Sequence, residues 1–188
     1  MRHAAACALL AAAAAGAHAA PATYRIDPAH THVHFEVQHF GTSTSRGRFD
    51  KLDGSITLDR AAHQGDVSIE IDTSSVNTGL APFDSVLKRA DMLAVEAFPR
   101  AYFVSRRIEF DGDRIASVSG EFTLRGTSRP LTLRAQRFVC QPHPELQREL
   151  CGGDFEAEVK RSEFGMNFGL PFVADRIRLV VQVEALRD

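Results

Sequence analysis

The run from His32 to Gln38 alternates strictly between polar and apolar side chains, and this pattern constrains the fold more than any other feature of the chain. Val33, Phe35 and Val37 lie on one side of an extended backbone, and the polar residues between them lie on the other. The same period of two returns at intervals as far as the C-terminus. The sequence therefore predicts an all-β domain whose strands each have one dry and one wet face.

The alternating segments predict about eight strands, and a small set of such strands usually closes into an antiparallel barrel or sandwich. A barrel of about eight strands can hold one small ligand. Asp53-Gly54, between two apolar runs, indicates a tight hairpin. The segments after the first strand are residues 47–49, 56–58, 67–73, 103–110, 118–124, 131–135, 155–159 and 177–183.

One segment departs from the strand pattern, because Leu80, Phe83, Leu87 and Ala90 recur at steps of three and four residues. This is a helical period, and Pro82 suits a first helical turn. We therefore expect one short helix between strands three and four, over the region from Leu80 to Leu93.

The N-terminus resembles a secretory leader. Met1-Arg2-His3 is followed by an apolar run from Ala4 to Ala15 and by the small-x-small sequence Ala17-His18-Ala19. The run is shorter than the roughly 20 residues that a membrane-spanning helix needs. We expect residues 1–19 to be a signal peptide, residues 20–188 to be one barrel domain, and the mature protein to be periplasmic.

Net charge and cysteine content indicate which class of partner is disfavoured and which covalent bridge to expect. The formal net charge of −2 does not favour a nucleic-acid partner. Cys140 and Cys151 are the two cysteines beyond the predicted leader. Because disulfides persist in exported proteins, we expect these two to form a bridge that pins the connection between two late strands.

Candidate chemistry is sparse. His30, His32 and His34 occupy alternate positions, so on a regular strand their side chains share one face. Imidazole groups on one face can bind zinc or copper, and metal binding is therefore an alternative hypothesis for the function. The simpler reading, which we favour, is a wet outer face with no metal site. No nucleophile motif, catalytic carboxylate pair or cofactor motif is identifiable, so we expect a non-enzyme without a cofactor.

The aromatic content is unusual, with 13 Phe, 2 Tyr and no Trp. Phe is large and has no polar group. Periodicity leaves two interpretations open: these side chains fill a core, or they line an apolar channel for a hydrocarbon.

The chain resembles the YceI-like family of exported, lipocalin-like barrels that bind polyisoprenoids and related lipids. The matching motifs follow one another along nearly the whole mature chain. They are Tyr24-x-Ile26-Asp27-x-x-His30-Thr31-x-Val33-x-Phe35-x-Val37-x-His39-x-Gly41, Phe49-x-x-Leu52-x-Gly54-x-Ile56, Ser68-Ile69-x-Ile71, Ala90-Asp91-Met92-Leu93, Phe98-Pro99-x-Ala101-x-Phe103, Val118-x-Gly120-x-Phe122-Thr123-Leu124-x-Gly126-x-Ser128-Arg129-Pro130-Leu131 and Arg161-Ser162-Glu163-Phe164-Gly165-Met166. The chain departs from the family pattern at two places. Val86-Leu87 stands where the family usually has a His-Leu pair, and Met92-Leu93 stands where it usually has an Asp followed by two aromatic residues.

The resemblance implies an apolar lumen that binds a long-chain isoprenoid, quinone-like or similar lipid. It leaves transient membrane contact and a homodimer open. A stress or interaction barrel without a ligand is the second hypothesis. The lumen candidates are Phe35, Val37, Ile69, Leu87, Met92, Phe103, Phe122, Phe164 and Phe168.

Overall fold

Alternating strands make up most of the computed structural model, which describes residues 20–188. The predicted signal peptide, residues 1–19, lies outside the described residues. Within residues 20–188, no helix has the length and apolar character needed to cross a membrane. The helices and strands in chain order are β1 (Ala22–Ile26), β2 (His32–His39), β3 (Ser43–Phe49), β4 (Leu52–Asp59), β5 (Gln64–Asp72), a 3-10 helix (Thr73–Ser75), β6 (Val76–Asn77), α1 (Ala81–Lys88), β7 (Arg100–Asp111), β8 (Arg114–Leu124), β9 (Thr127–Pro142), β10 (Glu149–Lys160), a second 3-10 helix (Arg161–Phe164) and β11 (Val173–Arg187).

The eleven strands follow eight paths around a closed antiparallel barrel. β1 and β2 both pair with β11, so they are two halves of one bent strand. β4 pairs with β1 while β3 pairs with β2, so these two also form one bent strand. β6 continues β5 along β3. The pairing of β1 with β11 closes the sheet and confirms the predicted all-β, eight-stranded antiparallel barrel, which is consistent with a lipocalin-like fold.

The predicted hairpin at Asp53-Gly54 is wrong, because both residues lie inside β4. Gly54 is required there for a different reason: a Cβ at this position would overlap the Ser68 carbonyl oxygen on β5. The chain bends instead at Asp50 and Lys51, between β3 and β4, with no hairpin pairing between those two strands. A close backbone approach and a turn both favour glycine, and the sequence alone did not distinguish them.

The helix is shorter than expected and has a different place in the strand order. α1 covers Ala81–Lys88, with Pro82 in its first turn as predicted. In the numbering of eleven strands, it follows β6 and precedes β7 instead of lying between strands three and four. Because β5 and β6 together form the third path of the barrel and β7 forms the fourth, the helix lies between the third and fourth of the eight paths. Leu87 is the buried residue of the helix.

The two ends of the barrel differ. The disulfide end carries Cys140 and Cys151, which lie directly opposite each other on β9 and β10 and form the predicted bridge. The cysteines lie within the strands rather than in the loop between them, and Cys151 is buried. The helix end carries α1, the turn after β8 and the second 3-10 helix. Arg125 links these three parts by donating to the carbonyl oxygens of Ala90 and Gly165.

A buried arginine holds the helix end together. The side chain of Arg161 is 2% exposed. Its guanidinium donates to four backbone carbonyl oxygens, at 2.8 Å to Met166 and Phe168 and at 2.9 Å to Val173 and Ala174. Burial lowers the pKa of this group from its ordinary value, and the nearby Asp175 carboxylate acts in the opposite direction.

Replacing Arg161 with Met should lower the free energy of unfolding by about 3 kcal/mol or more, since the change leaves several buried carbonyl oxygens without donors. Urea unfolding at neutral pH measures the change. Arg107→Met, at an exposed position on β7, is the matched control and should shift stability by less than about 0.5 kcal/mol. Equal effects of the two substitutions would show that the four hydrogen bonds do not stabilise the fold.

Candidate functional site

An apolar cavity of about 70 Å³ lies inside the barrel, towards the disulfide end. The inward side chains of several strands form its lining because period-two alternation places them on one face. Val67, Ile69 and Phe103 line one side, and Tyr24 and Cys151 line the other end. The lining is almost entirely apolar, so the cavity suits hydrocarbon rather than a polar molecule.

Two of the nine lumen candidates, Ile69 and Phe103, line this cavity. Val37 and Leu87 are buried elsewhere in the core. Two further lumen candidates, Phe35 and Met92, are partly buried and pack against the core. As ligand contacts, all of these assignments stay predictions.

Phe122 and Phe164 are buried against each other near the helix end, with ring centroids 5.6 Å apart in an edge-to-face arrangement. They line a second pocket, of about 230 Å³, to which β9 and β10 also contribute residues. Phe168 is 50% exposed, and the Arg89 guanidinium lies 4.8 Å from its ring centroid. Phe168 is therefore a surface residue and not part of the lumen; the loop that carries it has no period-two pattern to reveal its direction.

A polar group that the sequence pattern does not reveal lies at the disulfide end of the cavity. The Tyr24 hydroxyl donates to Glu149 Oε2 at 2.7 Å, and Arg60 donates to Glu149 Oε1 at 2.7 Å. Arg187 lies 3.7 Å from the same carboxylate. Burial, followed by the Glu149 carboxylate, raises the pKa of Tyr24 to about 12. The signal in the sequence was a lone Tyr at an inward-facing position, where a phenol needs a partner.

Tyr24→Phe should cost about 1 kcal/mol of stability at neutral pH, because the hydrogen bond to Glu149 is lost. The folded-state pKa is raised, so the contribution of Tyr24 is fully present below the ordinary pKa of about 10 and is lost as pH rises towards 12. Urea unfolding at pH 7 and at about pH 11.5 measures it. Tyr102→Phe, at the exposed tyrosine, is the control. A difference between wild type and Tyr24→Phe that does not shrink at high pH would contradict this explanation.

The histidines do not form a three-ligand site. His30 lies in the turn before β2, so the predicted face shared by three histidines is wrong for this residue. Its ring is 2.7 Å from Asp27, and that hydrogen bond raises the pKa of His30. His32 and His34 are on β2 with ring centroids 5.9 Å apart. Burial is the main cause that lowers the pKa of His34.

Across residues 20–188, the one group of three potential metal-ligating side chains in close proximity is Cys140, Glu149 and Cys151. The two sulfur atoms are joined to each other, and Glu149 accepts hydrogen bonds from Tyr24 and Arg60. These contacts make the group structural.

Three exposed aromatic side chains lie on the loops at the helix end, and we call them the aromatic rim: Phe40, Phe168 and Phe172. Phe40 and Phe172 are 59% and 65% exposed and stack with centroids 5.9 Å apart. Phe40 has a φ of 52° and is followed by Gly41 at 66°. The Thr42 amide donates to the His39 carbonyl oxygen, so Phe40 and Gly41 are the central residues of a tight hairpin turn.

The comparisons with known proteins agree with this architecture. The model of the YceI-like domain matches residues 24–185. Protein YceI of Escherichia coli O157:H7 is 32% identical over 173 residues, which are 90% of each chain. Burkholderia cenocepacia BcnA has a solved structure with a TM-score of 0.70, 21% identity, and coverage of 85% of this chain and 98% of its own.

A second solved structure is described as a polyisoprenoid binding domain from Saccharophagus degradans implicated in plant cell wall breakdown. Its TM-score is 0.65 with 15% identity, covering 88% of this chain and 98% of its own. These two structural likenesses support the fold. The match of the domain model over residues 24–185, together with the relative in Escherichia coli, shows that the chain belongs to the YceI-like family.

Proposed function

We propose that the protein is a periplasmic, non-enzymatic lipid-binding protein that carries or sequesters a polyisoprenoid, quinone-like or similar long-chain amphiphile. The observation that carries the proposal is the apolar lining of the cavity between Val67, Ile69 and Phe103. Burial of a hydrocarbon tail there is favourable by about 25 cal/mol per Å² of apolar surface removed from water. The leader-like N-terminus and the name of the Saccharophagus degradans domain add support.

The size of the cavity limits how the tail can bind. Ligand pockets usually enclose about 300–1,000 Å³, whereas this cavity measures about 70 Å³. Uptake of a long tail therefore requires lining side chains to move apart. Several of the lining side chains are only partly buried, so less packing is lost when they move. They include Ile69, Leu133, Phe138, Val181 and Val183.

The same small volume favours a second candidate function, a stress or interaction barrel whose lumen is filled by its own side chains. In that case the inward Phe residues are core alone. Organic extraction of protein purified from its native host, followed by mass spectrometry, separates the two functions. A recovered isoprenoid or other long-chain lipid supports the first; repeated empty preparations that also take up no added isoprenoid support the second.

We further propose that the aromatic rim touches the membrane during loading and release. The two loops that carry it, residues 40–42 and 165–172, contain no charged side chain. Exposed Phe on an uncharged surface has a high cost in water and suits the interface of a lipid bilayer. The Arg89 guanidinium above Phe168 is paired with the Asp91 carboxylate, so it adds no net charge at the edge of this surface.

Filling the cavity should block lipid uptake. Val67→Phe adds a ring to the lining, so we expect the affinity for a fluorescent isoprenoid analogue to fall by about tenfold, with about 1–3 kcal/mol of destabilisation from overpacking. Val104→Phe makes the same change at a half-exposed position on the neighbouring β7 and should leave affinity unchanged. Thermal unfolding verifies that both variants fold. Undiminished uptake by folded Val67→Phe would place the ligand outside this cavity.

Removing the aromatic rim should weaken membrane binding without affecting the cavity. Phe40→Ser with Phe172→Ser should reduce the affinity for phospholipid vesicles, measured by co-sedimentation, by at least about tenfold. The reason is that each Phe side chain that moves from water into the bilayer contributes about 1.5–3 kcal/mol. Val139→Ser with Leu146→Ser, two exposed apolar positions near the disulfide end, is the control. If the wild type is instead a dimer that the Phe variant converts to monomer, with no vesicle binding by either, the rim is a homodimer interface.

A further inference from the structure

The barrel wall has a gap at the helix end. β9 and β10 pair from Glu149 opposite Pro142 as far as Glu156 opposite Arg134. Beyond that point residues 127–133 of β9 pair with β8 only, and residues 157–160 of β10 pair with β11 only. The two strands therefore separate towards the helix end, and the edges that face each other there make no ladder hydrogen bonds.

The pocket of about 230 Å³ occupies this gap. Its floor is apolar and consists of Phe122, Leu131 and Phe164, all of which are buried. Phe122 pairs directly with Phe103 on β7, and Phe103 lines the central cavity. The floor of the gap and the lining of the cavity are thus adjacent parts of one apolar interior.

Arg129 occupies an unexpected register position at the gap. It lies opposite Phe122 and two residues before Leu131, both of which face inward, so it belongs to the inward-facing series of β9. A cation at an inward position beside Phe is costly unless the site is open to water or holds an anion. Arg129 is exposed, and its guanidinium donates to the Ser128 carbonyl oxygen. Within residues 20–188 it makes no ion pair with a carboxylate.

The rim of the gap carries more positive than negative charge. Arg176 and Glu158 neutralise each other at 2.6 Å. This leaves Arg129 and Lys160 as cations and Glu163 as the single remaining carboxylate among the lining residues. An apolar floor with two cations at its mouth has the chemistry that recognises an amphiphile with an acidic head.

We propose that the gap between β9 and β10 binds the anionic head group, carboxylate or phosphate, of a long-chain amphiphile whose tail passes inward over Phe122 and Phe164. The proposal rests on the proposed lipid-binding function and adds to it the class of head group and the place where the ligand enters. Arg129 is suited to the head because its planar guanidinium can donate two hydrogen bonds to one acidic group. Lys160 supplies a second positive charge from the facing strand.

The test compares hexadecanoate, hexadecyl phosphate and hexadecanol as competitors of a neutral apolar dye bound to the mature protein. We expect the wild type to bind at least one of the two anionic amphiphiles about tenfold more tightly than the alcohol at low ionic strength. High salt should reduce this preference, because the cations are exposed. Arg129→Gln with Lys160→Gln should abolish the preference and leave the affinity for the alcohol unchanged.

The matched control is Arg106→Gln with Arg114→Gln, two exposed cations away from the gap that should leave the preference intact. Tighter binding of one anion identifies the head as a carboxylate or as a phosphate. A preference that survives in Arg129→Gln with Lys160→Gln, or a wild type with equal affinity for alcohol and anions, overturns the head-group site while lipid binding stands. Failure of all three competitors to displace the dye overturns the site and the proposed function together.

Discussion

The buried guanidinium of Arg161 is the interaction on which the helix end of the barrel depends. A charge is costly in the interior unless it is hydrogen-bonded, and Arg161 makes four hydrogen bonds to backbone carbonyl oxygens rather than pairing with a carboxylate. Its acceptors lie before and at the start of β11, so one side chain fixes the path of the whole segment after the second 3-10 helix. Ser162 also donates two hydrogen bonds to Asp175 in this corner. Burial acts to raise the pKa of that carboxyl, but the hydrogen bonds from Ser162 and the positive charges of Arg161 and Lys160 together outweigh burial, and the pKa is lowered.

Because that segment is fixed, Phe164, Phe168 and Phe172 keep constant positions relative to one another. Phe164 is held against Phe122 under the gap between β9 and β10, while Phe168 and Phe172 are held at the surface. A lipid that leaves a membrane at the aromatic rim would meet the gap at the same end of the barrel. The disulfide end has the opposite character, since Tyr24 and Glu149 close it with a hydrogen-bonded polar group. The two ends of the barrel therefore differ: the helix end carries the gap and the exposed aromatic rings, and a hydrogen-bonded polar group closes the disulfide end.

The sequence predicts the barrel well because a strand with one wet and one dry face must alternate, and most of this chain does. The prediction from sequence fails where two different structural causes favour the same type of residue. The Asp53-Gly54 sequence predicts a turn, but Gly54 marks a close approach between strands. The spacing of the histidines predicts that His30 lies on the first strand, but it belongs to the turn between β1 and β2. Strand phase and the family resemblance predict Phe168 in the lumen, but Phe168 lies in a loop whose path depends on the long-range hydrogen bonds of Arg161. Those bonds, and the pairing limits that open the gap, are tertiary features that no local pattern encodes.

The backbone at the tip of the β2–β3 hairpin has a consequence for the evolution of the rim. Phe40 occupies a left-handed conformation that favours Gly or Asn and is strained for a bulky side chain, at a cost of about 1 kcal/mol or more. A more stable hairpin is therefore a single substitution away, and that substitution would remove an exposed aromatic ring. If the rim serves lipid exchange, the hairpin is a site of trade-off between stability and activity, where a screen for thermostable variants would select against function.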